Sequence, residues 1–237
     1  MQTPYRISES VPMSNLSPRL AVALSLVGND CATLTDIGTD HAQLPIAAIR
    51  MNMVVRAIAC DIAPGPLSQA VTNIYNAKMG DRIATRLGDG FEPLTELDMD
   101  VVVIAGIGGM NITGILERGS GKAKLAKKLI LQPQHDTMKL RKNLHRLGYF
   151  IADEKLAREG DRFYVILMAT PSSGSPAYWK EKEYSLGKHL DIDPEWKNYL
   201  QIEIERLEEY IASGATGEKR DEYVQRLVWL KEELGGK

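Results

Sequence analysis

The sequence predicts an α/β protein: a seven-stranded, mostly parallel sheet closed by an antiparallel strand hairpin, then an antiparallel helical hairpin. Three observations predict it. Five short apolar runs recur, each ending in a glycine- or proline-marked turn, with helix-compatible segments between most of them. Two further strand-like runs are separated only by EGDR, a gap too short for a crossover helix. Residues 177–237 carry two apolar seams of helical spacing on either side of a glycine loop.

Residues 1–14 read as a flexible lead-in without the apolar core of a signal peptide. LSPRLAVALSLV then has helical spacing, with Ser17 as the expected cap and Pro18 at the first helical position. The five parallel strands are expected in ATLTDIG, VVRAIACDI, RIATRLGDG, DVVVIAGIGG and KKLILQPQ. LPIAAIRMN, GPLSQAVTNIYNAKMG and HDTMKLRKNLHRLG supply helices between and after them. YFIADEKLARE and RFYVILMAT form the antiparallel pair. PSSGSP at 171–176 reads as a linker, which bounds a domain of residues 15–170 and a tail of residues 177–237. In the tail, Leu200, Ile204, Leu207 and Ile211 mirror Tyr223, Leu227, Leu230 and Leu234 across SGATG. The two seams are expected to pack on each other as a coiled-coil hairpin.

Bulk composition narrows the function. The formal charge is −2 over 237 residues, divided into −4 for the tail and +2 for the rest. This balance gives no sign of wholesale binding to nucleic acid or to a membrane surface, so any polyanion site would have to be a local patch. Cys31 and Cys60 form no CxxC pair and read as reduced, buried thiols of a cytoplasmic protein. No apolar run approaches the roughly 18 residues that cross a bilayer. His135, His145 and His189 show no metal-ligand spacing and read as exposed helix histidines, so no metal is expected. Nothing implies an obligatory protein partner.

The first strand runs into Asp36-Ile37-Gly38, the glycine turn of a nucleotide-binding domain, but continues with Asp40 and His41. A carboxylate there would repel a pyrophosphate by several kcal/mol once partly desolvated. S-adenosylmethionine carries no phosphate, while its sulfonium and ammonium are cations, so the turn favours it over NAD. Later turns agree. Asp61, followed by Ile62, ends the second strand where an acid commonly accepts from ribose hydroxyls. Asp89 and Gly90 end the third, where a carboxylate can accept the adenine amino group. Gly106 and Gly108 in AGIGGM let backbone approach a ligand. Enzymes that methylate exocyclic amines of bases often carry an Asn/Asp-Pro-Pro-Tyr turn at this fourth strand end to hold the amine and stack the base. Its absence counts against that reaction.

With DIGTDHAQLP, GDG, AGIGG and LQPQ in this order, the chain resembles the bacterial tRNA adenine-22 N1-methyltransferase family, from NLSPRL at 15–20 through the final helices. Two positions depart from the family pattern: Ile107 stands where AGMGG is common, and Gln134 where LQPN is common. The resemblance implies a Rossmann-like class I methyltransferase domain with a C-terminal coiled coil. It also implies methyl transfer from S-adenosylmethionine to N1 of an adenine in the body of tRNA. Neutral N1 already holds an in-plane lone pair, so the task is alignment and stabilisation of the developing positive charge. Asp40 is the candidate for charge stabilisation, with His41 as orienter or proton acceptor from N6. For tRNA, the candidates are Arg19, the cluster Lys122, Lys124, Lys127 and Lys128, Gln132 of LQPQ, and Arg141, Lys142 and Arg146 with His145 on the following helix. Two rival readings follow from the residues: an NAD-linked oxidoreductase, opposed by Asp40 and the strand hairpin, and a non-catalytic RNA-binding or scaffold protein, opposed by the acid series.

Overall fold

A computed structural model of the chain describes residues 16–174, 178–214 and 216–235. The lead-in expected at 1–14 lies outside them, as does part of the expected linker. The strands are β1 (Thr33–Ile37), β2 (Arg56–Asp61), β3 (Ile83–Leu87), β4 (Val101–Ile107), β5 (Lys128–Pro133), β6 (Tyr149–Glu159) and β7 (Arg162–Pro171). They form one seven-stranded sheet in the order β3-β2-β1-β4-β5-β7-β6. The first five run parallel, and β7 is antiparallel to both β5 and β6. From β1 the chain moves outward to β2 and β3, then crosses back to β4. The carboxyl ends of β1 and β4 therefore flank the topological switch point, where open α/β sheets bind ligands.

Side-chain alternation divides the core into two. Val101 and Val103 of β4 pack with α1 (Pro18–Ser25), α2 (Gln43–Arg50) and α3 (Pro64–Asn76). Val102 and Ile104 pack on the other face, with α4 (Gly109–Arg118) and α6 (Thr137–Arg146). All five residues of β1 are buried, as a central parallel strand requires. A one-turn helix, α5 (Ser120–Ala123), precedes β5. Helix α4 is an addition to the expected elements, because Gly109, Gly114 and Gly119 make its segment read as turn. Burial of Ile112 and Leu116 against the sheet outweighs that local cost.

The tail folds into α7 (Glu181–Leu186), α8 (Trp196–Ala212) and α9 (Glu218–Gly235), with α8 and α9 packed together. The expectation that the two seams pack only on each other needs correction. Leu200, Ile204, Leu207 and Leu230 share a buried cluster with Leu140, Leu144, Leu156 and Val165 of the sheet-bearing part, whereas Leu234 is exposed. A polar joint runs through the same contact. Arg141 Nε donates to Glu154 Oε1 at 2.7 Å, and its Nη1 donates to the carbonyl of Tyr184 at 2.9 Å. Glu154 Oε2 accepts from the backbone N–H of Lys188 at 2.8 Å.

Candidate active site

The carboxyl edge of β2, β1 and β4 collects most of the expected cofactor residues. Gly38 turns the chain at φ 80°, which favours glycine, and a Cβ built there meets nothing within 4 Å. The backbone N–H groups of Gly38 and Thr39 both donate to the Cys60 carbonyl, at 2.9 and 2.8 Å, which ties this turn to the end of β2. Asp36 is buried at the end of β1. Burial pushes its carboxyl up to about 6; the neighbouring Thr39 hydroxyl pulls the other way, and the Asp61 charge adds to the rise. Asp61 spends Oδ1 on the Ala63 N–H at 2.8 Å, with Ile62 exposed beside it. Asp40 and His41 form an exposed pair, Oδ2 to Nε2 at 3.2 Å, and the His41 carbonyl accepts from Asn73 Nδ2 at 3.0 Å.

Among the described residues, Asp36, Asp40 and Asp61 have no Lys or Arg ion-pair partner. A row of acids without such partners suits a ligand with a cationic end and rejects a pyrophosphate. Asp89 is less free: its two oxygens accept from Arg118 Nε and Nη2, both at 2.9 Å, so each retains further acceptor capacity. Gly90, at φ 57°, stands where a Cβ would lie 2.9 Å from Ile115 Cγ2.

The turn after β4 differs in part from expectation. Gly106, at φ 81°, sits in a register irregularity between β4 and β5, and its N–H donates to Gln132 Oε1 at 3.0 Å. Gly108 does not open space for a cofactor; a Cβ there would lie 2.5 Å from Cε1 of His135, whose ring occupies that room. His135, read from the sequence as an exposed helix histidine, lies instead on the loop after β5, where it forms with Asp136 an acid–imidazole pair that the sequence reading did not propose as part of the site. The signal was available in LQPQHD, an acid directly before a helix and a histidine directly before the acid.

Several expected RNA contacts are corrected by their partners. Arg141 is 1% exposed and engaged with Glu154, so it is an internal joint. Gln132 is fully buried, spending Oε1 on Gly106 and Nε2 on the Pro133 carbonyl. His145 is buried, with Nδ1 2.7 Å from the Tyr184 hydroxyl, and desolvation lowers its pKa. The lysine cluster is engaged with acceptors of the chain itself, Lys122 on the loop that directly follows the Asp89-Gly90 turn. Lys122 donates to the carbonyls of Phe91, Glu92 and Leu94; Lys124 donates to that of Gly148. Lys127 pairs with Asp100, and Lys128 with Asp30, beside the amino ends of β4 and β5. Lys127 stays exposed in its pair with Asp100, and three further basic candidates also sit in partly exposed pairs. Lys142 and Arg146 project from α6 in surface pairs with Glu181 and Glu117. Arg19 is half-buried beside Glu159, at the carboxyl-edge end of the β6–β7 hairpin.

Among the described residues, no group of three or more His, Cys, Asp or Glu is arranged to hold a metal, and no helix is long and apolar enough to cross a membrane. A family model described as TrmK, tRNA (adenine(22)-N(1))-methyltransferase, matches residues 34–233. The tRNA (adenine(22)-N(1))-methyltransferase of Bacillus subtilis (strain 168) is 34% identical over 163 residues, covering 69% of this chain and 68% of that protein. Streptococcus pneumoniae Sp1610, solved in complex with S-adenosyl-L-methionine, superposes with a TM-score of 0.81 at 32% identity, covering 92% of this chain and 99% of that one. M. capricolum TrmK, solved with S-adenosyl-homocysteine, gives 0.77 at 26% identity, covering 93% and 98%.

Proposed function

The chain belongs to the tRNA (adenine(22)-N(1))-methyltransferase family, and from that premise we propose that it methylates N1 of adenine 22 in tRNA with S-adenosylmethionine as donor. The observation that carries the reading is the switch point itself, where buried Asp36 feels the charge of Asp61, Asp40 follows the same turn, and none of the three has a Lys or Arg ion-pair partner among the described residues. S-adenosylmethionine supplies a methyl group on a positively charged sulfur. Asp36 would balance the cationic end of the donor, and Gly38 would form the open floor beneath it. The remaining oxygen of Asp61 would accept from ribose hydroxyls, with Ile62 against the base. Asp89, still able to accept while holding Arg118, would take the adenine amino group. Gly106 gives the acceptor side its bend.

N1 of the target adenine carries its own lone pair, so the chain supplies orientation and charge stabilisation. Asp40 is proposed to stabilise the positive charge that develops on the ring, and His41 to orient it across their 3.2 Å contact. Methyl transfer from labelled S-adenosylmethionine to bulk bacterial tRNA, followed by nucleoside analysis, tests this. A 1-methyladenosine product is expected, falling by about 100-fold or more with Asp40→Ala, on the scale of removing an electrostatic group. Label in another nucleoside would discard the N1 assignment.

Residues 15–170 are proposed to carry the chemistry and residues 177–237 to flank it, in the cytoplasm where tRNA resides. Arg19, Lys142 and Arg146 are proposed as phosphate contacts. Lys142→Glu with Arg146→Glu is expected to raise KM for tRNA without changing affinity for S-adenosylmethionine. It should also flatten the plot of log affinity against log salt by about 0.7–0.9 for each phosphate no longer neutralised. An unchanged salt slope would clear both residues of contact with RNA.

A further inference from the structure

The loop after β5 holds its histidine at a local cost. Asp136 is the residue flanking the start of α6, a position whose carboxylate ordinarily accepts a hydrogen bond from the first helical turn. Here it makes no such cap. It turns instead to His135, Oδ2 to Nδ1 at 2.7 Å, and to Lys139 at 3.2 Å. It does so from a left-handed backbone, φ 61°, uncommon for a residue other than glycine. The ring so held rests on Gly108, the backbone approaching within a distance that no Cβ there would permit. The Gly109 N–H donates to the His135 carbonyl at 3.0 Å, which locks the two loops together.

The ring thus lies over the turn after β4, the place where amine-methylating enzymes hold the base with residues that this chain lacks. It is 69% exposed and, with Gln134, borders a groove of about 1050 Å³ that runs toward α8 and α9. A hydrogen bond from Nδ1–H to the Asp136 carboxylate selects the tautomer whose Nε2 is an acceptor.

We infer that His135, oriented by Asp136, contacts the target adenine: its Nε2 accepts a hydrogen bond from the N6 amino group. The inference rests on the methyl-transfer reading above, and it assigns the N6 contact to His135 in place of His41. The bond would do two things. As the methyl group joins N1, positive charge spreads to N6 and makes its hydrogens better donors, so the bond strengthens in the transition state. An acceptor at this position also favours a 6-amino group over the 6-oxo group of guanine, and so contributes to base choice.

The test pairs a residue change with an atom change. Full-length enzyme and His135→Ala are assayed on tRNA carrying either adenine or unsubstituted purine at the target position; purine keeps N1 but lacks the amino group. The unsubstituted enzyme is expected to prefer adenine by roughly 10- to 100-fold, the range for a hydrogen bond to a group gaining charge. His135→Ala is expected to lose most of that preference, keeping only the part that the greater basicity of adenine N1 supplies, with S-adenosylmethionine affinity unchanged in calorimetry. Asp136→Asn, which tolerates the left-handed backbone, is expected to shrink the preference and lower kcat more than it raises KM. Full retention of the adenine preference by His135→Ala would overturn the inference while leaving the proposed function intact. Failure of the unsubstituted enzyme to methylate adenine would overturn the proposed function and this inference with it.

Discussion

Asp36→Asn is expected to make the protein more stable and unable to hold its cofactor. The carboxyl ordinarily titrates near 3.8 and is pushed up to about 6 in the folded chain, chiefly by burial. The folded protein therefore keeps this proton at pH values where the unfolded chain has released it. Stability contributed here is at its highest below pH 4, falls as pH rises from about 4 to 6, and stays low above that. A shift of roughly two units corresponds to about 3 kcal/mol of destabilisation at neutral pH. Asparagine cannot ionise and escapes that penalty. Thermal unfolding should show a gain of roughly 6–12 °C at pH 7.5 for a chain of this size, closing to nothing near pH 4. The same ionised acid is what a cation would satisfy, so affinity for S-adenosylmethionine should fall by about 100-fold in the variant. In the unsubstituted enzyme, affinity should weaken steadily below about pH 6. Equal melting temperatures at both pH values, or undiminished cofactor affinity, would show that Asp36 is an ordinary buried acid.

The second large effect concerns the joint between sheet and tail. Arg141 and Glu154 are both buried, and their contact brings α6, β6 and the segment around Tyr184 together. Arg141→Leu would leave Glu154 as a buried charge that keeps only backbone donors. The expected loss is about 3–5 kcal/mol, read from the midpoint of urea unfolding. Adding Glu154→Leu should recover much of it, because an apolar pair leaves no stranded charge. A loss under about 1 kcal/mol for Arg141→Leu alone would mean that water reaches the joint. Glycine at 187 supports the same packing, since a Cβ there would stand 2.9 Å from Arg141 Nη2.

Much of this was legible in one dimension. The bounds of β6 coincide with YFIADEKLARE, and the acids that end β1 and β2 lie along one edge because parallel strands bring all their carboxyl ends together. Helix α4 was not legible, because three glycines and a threonine conceal a buried face that exists only against the sheet. The charged residues were hardest to read. Arg141 and Lys142 are neighbours with similar side chains, yet one is sealed inside and the other is in solvent. Lys122, Lys124, Lys127 and Lys128 look like an RNA-binding patch until their carbonyl and carboxylate partners are seen.

By itself the sequence determined the alternation of strand and helix, the acid-rich turns and the family, since each is written in residues near one another along the chain. Only the tertiary structure decided which charges are free, which glycine makes room for a histidine and which histidine faces the groove. Those outcomes depend on partners from distant segments, such as Glu154 for Arg141, Gly148 for Lys124 and Gly108 for His135. Burial makes an unpaired charge too costly to leave. The fold therefore consumes some polar groups internally, and only those left over remain available for chemistry.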